Sequence, residues 1–260
     1  MKIAIDAREA LEPQPAGKGL MLRCLIEALL KEKIPGELML LCRENQVAPA
    51  SWPVRKVKSF LGGWHLSLLV FLYFSDIDLF ISPLSAIVPA LLLGKRSIFF
   101  VTDLSAWRYP KEHRWKTLLL ERLFVPLAVR RARKVITISS FTKKELKKIL
   151  GVPDHKIKVM PLAPTLGRDK KSRRPLSPYL LYLGTLEPRK NIVRLLKAYR
   201  LARQTRKIPP LFLAGKLGWK TAAIRKEIER TPGVRFLGYL TEEEKKSLME
   251  GACGFLYPSL

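Results

Sequence analysis

Short, almost wholly apolar runs alternate along this chain with longer segments whose apolar residues recur at helical spacing, and that alternation restricts the possible folds more than any other feature. Runs of this kind read as parallel strands covered on both faces, because a parallel strand is joined to its neighbour through a helix. Strands are predicted over residues 2–7, 37–42, 79–82, 97–101, 134–138 and 156–160. Residues 13–19 are predicted as a loop, followed by a helix over 20–30 with the stripe Leu22, Ile26, Leu29 and Leu30. A further helix is predicted over 116–131. Another opens at Ser139-Ser140, with Thr142 and Glu145 at capping-box spacing, and closes at Gly151. Six strands alternating with helices describe a doubly wound α/β domain over residues 1–165.

Residues 166–178 change character, with Gly, Pro, Ser and basic residues replacing apolar ones, and are predicted as a linker. The alternation then restarts. Strands are predicted over 179–183, 211–214, 234–237 and 254–257, and helices over 191–203, over 221–230 and after a capping box at Thr241 to Glu244. No helix follows the last strand. The second domain, 179–260, therefore reads as an incomplete α/β domain.

The net charge of +26 favours anionic partners, and its distribution separates the alternatives. Zinc-finger spacing, an RNP-type aromatic strand and basic-region heptads are all missing from the sequence, so no specific nucleic-acid module is expected. Solvated basic faces are one reading. The other is a membrane surface, because Trp107, Trp115, Leu118–Leu120 and Leu123–Val125 interleave with Arg108, Lys111, Arg114, Lys116 and Arg122. The apolar stretches 64–74 and 79–93 fall short of a spanning helix, the second being interrupted by Pro83 and Pro89. Cys24, Cys42 and Cys253 are far apart and read as reduced core residues, and the strand-like N-terminus does not read as a secretory signal. The expected location is cytoplasmic, with peripheral association at the inner face of the membrane as the alternative that the basic surface adds.

One junction carries chemistry. Strand 179–183 runs into Gly184 and delivers Arg189 and Lys190 to the start of a helix, at the strand edge where open parallel sheets hold ligands. Backbone N–H groups at that helix start add to the attraction for an anion. A solvated helix start is the competing reading, although cations there oppose the helix dipole and need a reason. Asp76-Ile-Asp78 imitates a metal-binding Asp-x-Asp but reads as turn chemistry, and His65, His113 and His155 have no metal spacing. No metal site and no resident cofactor are expected.

In order, Gly17-Lys-Gly19, residues 101–104, 133–142, 156–161, 182–191, 213–216, 234–240 and 257–260 make the chain resemble the retaining glycosyltransferases of family 4. That family has the GT-B fold of two Rossmann-like domains. The resemblance implies metal-independent transfer of a hexose, with retention, from a UDP- or GDP-linked nucleotide sugar to a glycan or lipid-linked acceptor. It implies that Arg189 and Lys190 grip the donor diphosphate, and that Gly17 and Gly19 let backbone approach the same phosphates. Gly184, Gly215, Lys216 and Leu240 fall where the family holds the donor, with loop packing the alternative for Lys216 and Leu240.

The chain also departs from the family. Thr102 stands where the family often has a histidine, leaving Thr102 and Asp103 as sugar or acceptor contacts, unless Asp103 only caps the next turn. The family continues past the position of Leu260 into an acidic loop and a helix bearing a second glutamate. The sequence stops short of both, so the expectation is a C-terminally truncated enzyme with little or no activity as an isolated chain. The alternative is a non-catalytic nucleotide- or partner-binding remnant.

Overall fold

The computed structural model describes residues 1–15, 17–32, 34–60, 63–163 and 178–259, and the chain forms two compact units, Met1–Ala163 and Pro164–Leu260. The linker expected over 166–178 lies outside the described residues except for Pro178.

In the first unit, strands β1 (Lys2–Asp6), β2 (Glu37–Arg43), β3 (Val54–Val57), β4 (Leu79–Ser82), β5 (Arg96–Phe100), β6 (Lys134–Thr137) and β7 (Ile157–Val159) form one parallel sheet in the order β3-β2-β1-β4-β5-β6-β7. Its register sets Ile5 opposite Leu40 and Ile81, and Ala4 opposite Met39 and Phe80, so the two faces carry separate apolar sets. Helix α1 (Gly17–Lys31) covers the first set with Leu22 and Ile26. Helices α2 (Gly63–Tyr73) and α3 (Ile87–Leu91) cover the second with Trp64, Leu68, Leu72 and Val88. After the short α4 (Ser105–Arg108), helices α5 (Trp115–Arg131) and α6 (Ser140–Leu150) contribute Val125, Ala128, Val129 and Leu146 to a cluster on Phe99, Val135 and Ile157.

The second unit repeats the scheme at smaller size. Strands β8 (Leu180–Leu183), β9 (Leu211–Ala214), β10 (Val234–Gly238) and β11 (Gly254–Phe255) form a parallel sheet in the order β10-β9-β8-β11. Helices α7 (Ile192–Thr205) and α8 (Ala222–Glu229) pack Leu196, Tyr199 and Ile224 against Tyr182 and Leu213. Helix α9 (Glu242–Gly251) brings Leu248 to a second cluster made by Tyr179, Leu181, Ala214 and Leu240. In both units the chain winds outward from its first strand and then crosses to that strand's other side. The reversal falls between β1 and β4, and again between β8 and β11.

Several expectations are corrected. Strand β3 was not expected; only Val57 of its four residues is buried, because it is an edge strand with Arg55 and Lys56 exposed. The loop before α1 is shorter than expected, since Gly17 and Gly19 already form the first helical turn. The cap of α6 is Ser139, whose side chain accepts from the Thr142 N–H at 3.1 Å, so Thr142 sits inside the helix rather than capping it. Glu145 instead lies 3.8 Å from Arg108. Gly151 does close α6 in the left-handed conformation, and Thr241 with Glu244 forms the expected capping box. Strand β11 spans two residues rather than four, and Cys253 just before it is exposed rather than core. Among the described residues no helix is long and apolar enough to cross a membrane.

Polar groups are buried where β1 meets α2. Asp6 accepts from the Trp64 indole N–H at 3.3 Å and from the Arg8 backbone N–H at 3.3 Å. Burial raises its carboxyl pKa, against the neighbouring Arg8 charge, which lowers it. His65 Nδ1 lies 3.3 Å from Ser85 Oγ, and burial, then Arg8 and Arg43, bring its pKa down to about 4.

A Cβ on Gly19 would stand 2.5 Å from the Glu9 carbonyl oxygen, whereas one on Gly17 would meet nothing within 4 Å. Gly19→Ala is therefore expected to lower the unfolding free energy by about 1–3 kcal/mol in urea titrations. Gly17→Ala is expected to stay within about 0.5 kcal/mol of wild type. For His65, the folded state disfavours the proton that the unfolded chain takes up below about pH 6.5, so its contribution to stability is present above that pH and is lost toward pH 4. His65→Gln should flatten the fall in melting temperature over this window relative to wild type.

Candidate functional site

The carboxyl ends of β8, β9, β10 and β11 lie along one edge of the second sheet, and the sequence places a distinctive turn at each. After β8, Gly184 takes φ +157° and its N–H donates to the Ala214 carbonyl at 2.9 Å. After β9, Gly215 takes φ +134°, and a Cβ there would stand 2.1 Å from the Gly184 carbonyl oxygen. Only glycine permits both the conformation and that approach. Two adjacent backbone turns are thereby pressed together, leaving the strand-end edge open to the groups that follow.

Those groups are the two cations. Glu187 begins a 3-10 turn, Pro188–Lys190, that ends at Asn191 in the left-handed conformation before α7 starts. The Glu187 side chain is only 3% exposed and forms an ion pair with Arg189 Nε, which ties the guanidinium to the turn. A carboxylate taken out of water demands a close cation, and Arg189 supplies it. The Lys190 ammonium donates to the Tyr257 hydroxyl and lies 4.6 Å from that ring's centroid. Tyr257 follows β11, so this contact bridges the point where the winding of the sheet reverses. Tyr257 also stacks on Tyr182 at 5.9 Å, and burial raises the Tyr182 hydroxyl pKa well above its ordinary value, keeping it neutral. Ser259 Oγ donates to the Arg189 carbonyl at 3.4 Å.

Of the residues expected to hold a donor, Gly184, Arg189, Lys190, Gly215 and Lys216 come together on this edge. Lys216 Nζ lies 5.0 Å from the Tyr239 ring centroid, and Lys245 Nζ lies 5.0 Å from the same ring. Leu240, 7% exposed, packs in the cluster of Tyr179, Leu181 and Ala214. Sequence reasoning missed Glu187 and Tyr257 as parts of this arrangement. Both stood within quoted motifs, but only the fold shows that one is buried under Arg189 and the other lies against Lys190.

The first unit brings Thr102 and Asp103 to the carboxyl end of β5. Asp103 accepts from the Ser105 N–H at 3.1 Å and from the Ser105 hydroxyl, so it does cap the turn leading into α4. It also lies 3.4 Å from Thr102 Oγ1 and 3.7 Å from Lys18 Nζ. Lys18 comes from the glycine segment at the start of α1. Lys18, Thr102, Asp103, Trp107 and Glu121 line a small cavity of about 70 Å³. The segment carrying Gly17 and Gly19 thus meets Thr102-Asp103 through Lys18, which sequence reasoning did not single out.

Two wider concavities of this unit lie elsewhere. One, of about 620 Å³, holds Arg23, Arg43, Gln46 and Trp52; the other, of about 660 Å³, holds Arg130, Arg133, His155 and Lys156 near the amino ends of β6 and β7. Asp76 and Asp78 both face Lys2 at the start of β1, the first its ammonium and the second its backbone N–H at 2.7 Å, contacts across the sheet rather than within the turn.

Known proteins share the sequence pattern and the fold of this chain. The chain is 29% identical over 180 residues to the O-antigen chain mannosyltransferase B of Escherichia coli, a match covering 64% of this chain and 47% of that protein. The chain thus spans about half the length of this curated relative. Its fold is similar to the crystal structure of Anabaena Alr3699/HepE in complex with UDP and glucose, with a TM-score of 0.69 at 17% identity, covering 100% of this chain and 74% of that one. It is also similar to the apo lipopolysaccharide outer core galactosyltransferase WaaB, with a TM-score of 0.63 at 16% identity and the same coverage. The model of glycosyl transferases group 1 matches residues 167–260, and that of Glycosyltransferase Family 4 matches residues 32–163, half of the chain. The chain belongs to glycosyltransferase family 4.

Proposed function

We propose that the chain binds a UDP- or GDP-linked hexose and serves its transfer to a glycan or lipid-linked acceptor, without a metal and with retention at the anomeric carbon. The observation that carries this reading is the pair Arg189 and Lys190 at the reversal point of the second sheet, each held in place by a neighbour, Glu187 and Tyr257. When the bond from the anomeric carbon to phosphate breaks, its electrons move to the departing diphosphate. Two preplaced cations stabilise that growing charge, which is the work a divalent ion would otherwise do. The acceptor hydroxyl bonds to the same carbon, and its proton passes to the departing phosphate oxygen. Lys18, Thr102 and Asp103 are the groups of the first unit assigned to orient sugar or acceptor hydroxyls.

The names of related proteins support the substrate class. HepE was crystallised with UDP and glucose, and the Escherichia coli relative is an O-antigen mannosyltransferase. A nucleotide sugar and a surface glycan are accordingly the partners assigned to this chain, with peripheral association at the inner face of a membrane. A second reading, binding of nucleotide without turnover, makes the same demand on Arg189 and Lys190.

A thermal-shift panel of nucleotides tests the shared part of both readings, since a ligand of the folded state raises its apparent stability. UDP or GDP should raise the melting temperature, and the uncharged nucleoside should do so much less. In Arg189→Ala/Lys190→Ala the diphosphate affinity should fall at least about 100-fold, each charge-assisted contact being worth about 1.5–3 kcal/mol. Glu187→Gln keeps the shape but loosens the guanidinium, and should cost about tenfold. An unchanged affinity in the double variant, or tight RNA binding at physiological salt, would remove the reading. Turnover of a nucleotide-sugar panel with acceptor then separates transfer from binding alone.

A further inference from the structure

The first half of α5 stands out from its unit. Trp115, Leu119, Leu120 and Leu123 are 69%, 59%, 44% and 53% exposed, while the helix is anchored only further on, by Val125, Ala128 and Val129. At 100° per residue the four exposed side chains share an arc of about 140°. Lys116 falls within this arc and Arg122 beside it, Arg114 precedes the helix as its N-cap residue, all three are exposed, and the Lys116 ammonium lies 5.5 Å from the Trp115 ring centroid. Glu121 turns away, to the cavity of Thr102 and Asp103.

A solvent-facing tryptophan with three leucines loses water contact only against an apolar phase, and the cations around it select for negative charge at that phase's surface. A second copy of this chain is a poor occupant, because each copy carries +26. Nucleic acid would use the cations and leave the leucines in water. From this pattern we propose that the first half of α5 docks on an anionic lipid bilayer, with Trp115, Leu119, Leu120 and Leu123 entering the headgroup boundary and Arg114, Lys116 and Arg122 contacting lipid phosphates. Long basic side chains suit that position, since their stems lie along apolar surface while their heads stay hydrated. The inference rests on the lipid-linked acceptor reading for its purpose. It deepens that reading by setting the Thr102-Asp103 cavity on the inner side of the docking helix, about one helix diameter, roughly 10–12 Å, from the bilayer.

Flotation of the full chain with vesicles tests this directly. The wild type should bind phosphatidylethanolamine–phosphatidylglycerol vesicles and not phosphatidylcholine vesicles, and a brominated lipid should quench a fluorescence component that disappears in Trp115→Phe. Trp115→Ser/Leu119→Ser/Leu123→Ser should lower the partition coefficient at least about tenfold while keeping the melting temperature. Helix α2 also exposes Leu66 and Val70, and it is the internal comparison: Leu66→Ser/Val70→Ser should bind as wild type does. The proposal is overturned by equal binding to both vesicle types, by an undiminished triple variant, by loss of binding in the α2 variant instead, or by absent Trp115 quenching. UDP and GDP binding measured on the same samples keeps the two readings apart. Vesicle binding without nucleotide binding would sink the transferase reading alone, and the reverse would sink only the docking.

Discussion

Right-handed crossover between parallel strands is the constraint on which the rest of this molecule depends. A chain that winds outward from its first strand and then crosses to that strand's other side must place the two sets of helices on opposite faces. In the second unit α7 and α8 lie on one face of the sheet and α9 on the other. The segments leaving β8 and β11 meet at this reversal point, through Lys190 on Tyr257 and Ser259 on the Arg189 carbonyl, and such a point is where open parallel sheets hold ligands. In the first unit α1 and α2 flank the sheet in the same manner around β1 and β4. A ligand edge is thus a product of handedness and apolar patterning before any functional residue is chosen. Leu181, Leu211 and Leu213 are fully buried, so the positions of the strand ends are fixed by packing rather than by the loops.

What those ends display is governed by charge. A desolvated Glu187 would be costly alone, and its ion pair with Arg189 offsets that cost without using the whole guanidinium. Arg189 keeps donors beyond Nε, so one contact orients the fork while the others remain for an anion. Lys190 is held differently, by a hydroxyl and an aromatic face, contacts that the proposed diphosphate would have to outcompete. The two cations are restrained in different ways at one edge. In the proposed function this restraint would serve as preorganisation for a leaving group, since the donors would not have to be gathered as charge develops.

Much of this was legible in the chain itself, where the apolar pattern was strong. The interior strands announced themselves as runs such as Leu180–Leu183 and Leu211–Ala214, because a strand covered on both faces has no polar positions. Strand β3 did not, since Val-Arg-Lys-Val at a sheet edge carries no such run. The glycines of α1 misled in the other direction. Glycine lowers helix propensity, yet at a first turn the penalty is small, and Gly19 is needed for close approach to Glu9. Arg189 and Lys190 could be found because cations at a strand end preceding a helix call for a reason. Glu187 could not, because its meaning lies in burial, which depends on neighbours distant in sequence. His65 escaped for the same cause: its partner Ser85 and the nearby charges of Arg8 and Arg43 come from other elements.

The central claim is that the reversal point of the second sheet is a diphosphate site. A crystal structure of the full chain with bound UDP or GDP tests it most directly. The account predicts diphosphate oxygens within hydrogen-bond distance of both Arg189 and Lys190, the Glu187–Arg189 pair retained, and the Lys190 ammonium drawn from Tyr257 to phosphate. A diphosphate seated elsewhere, for instance against Arg130 and Arg133, with Lys190 still on Tyr257, would contradict it.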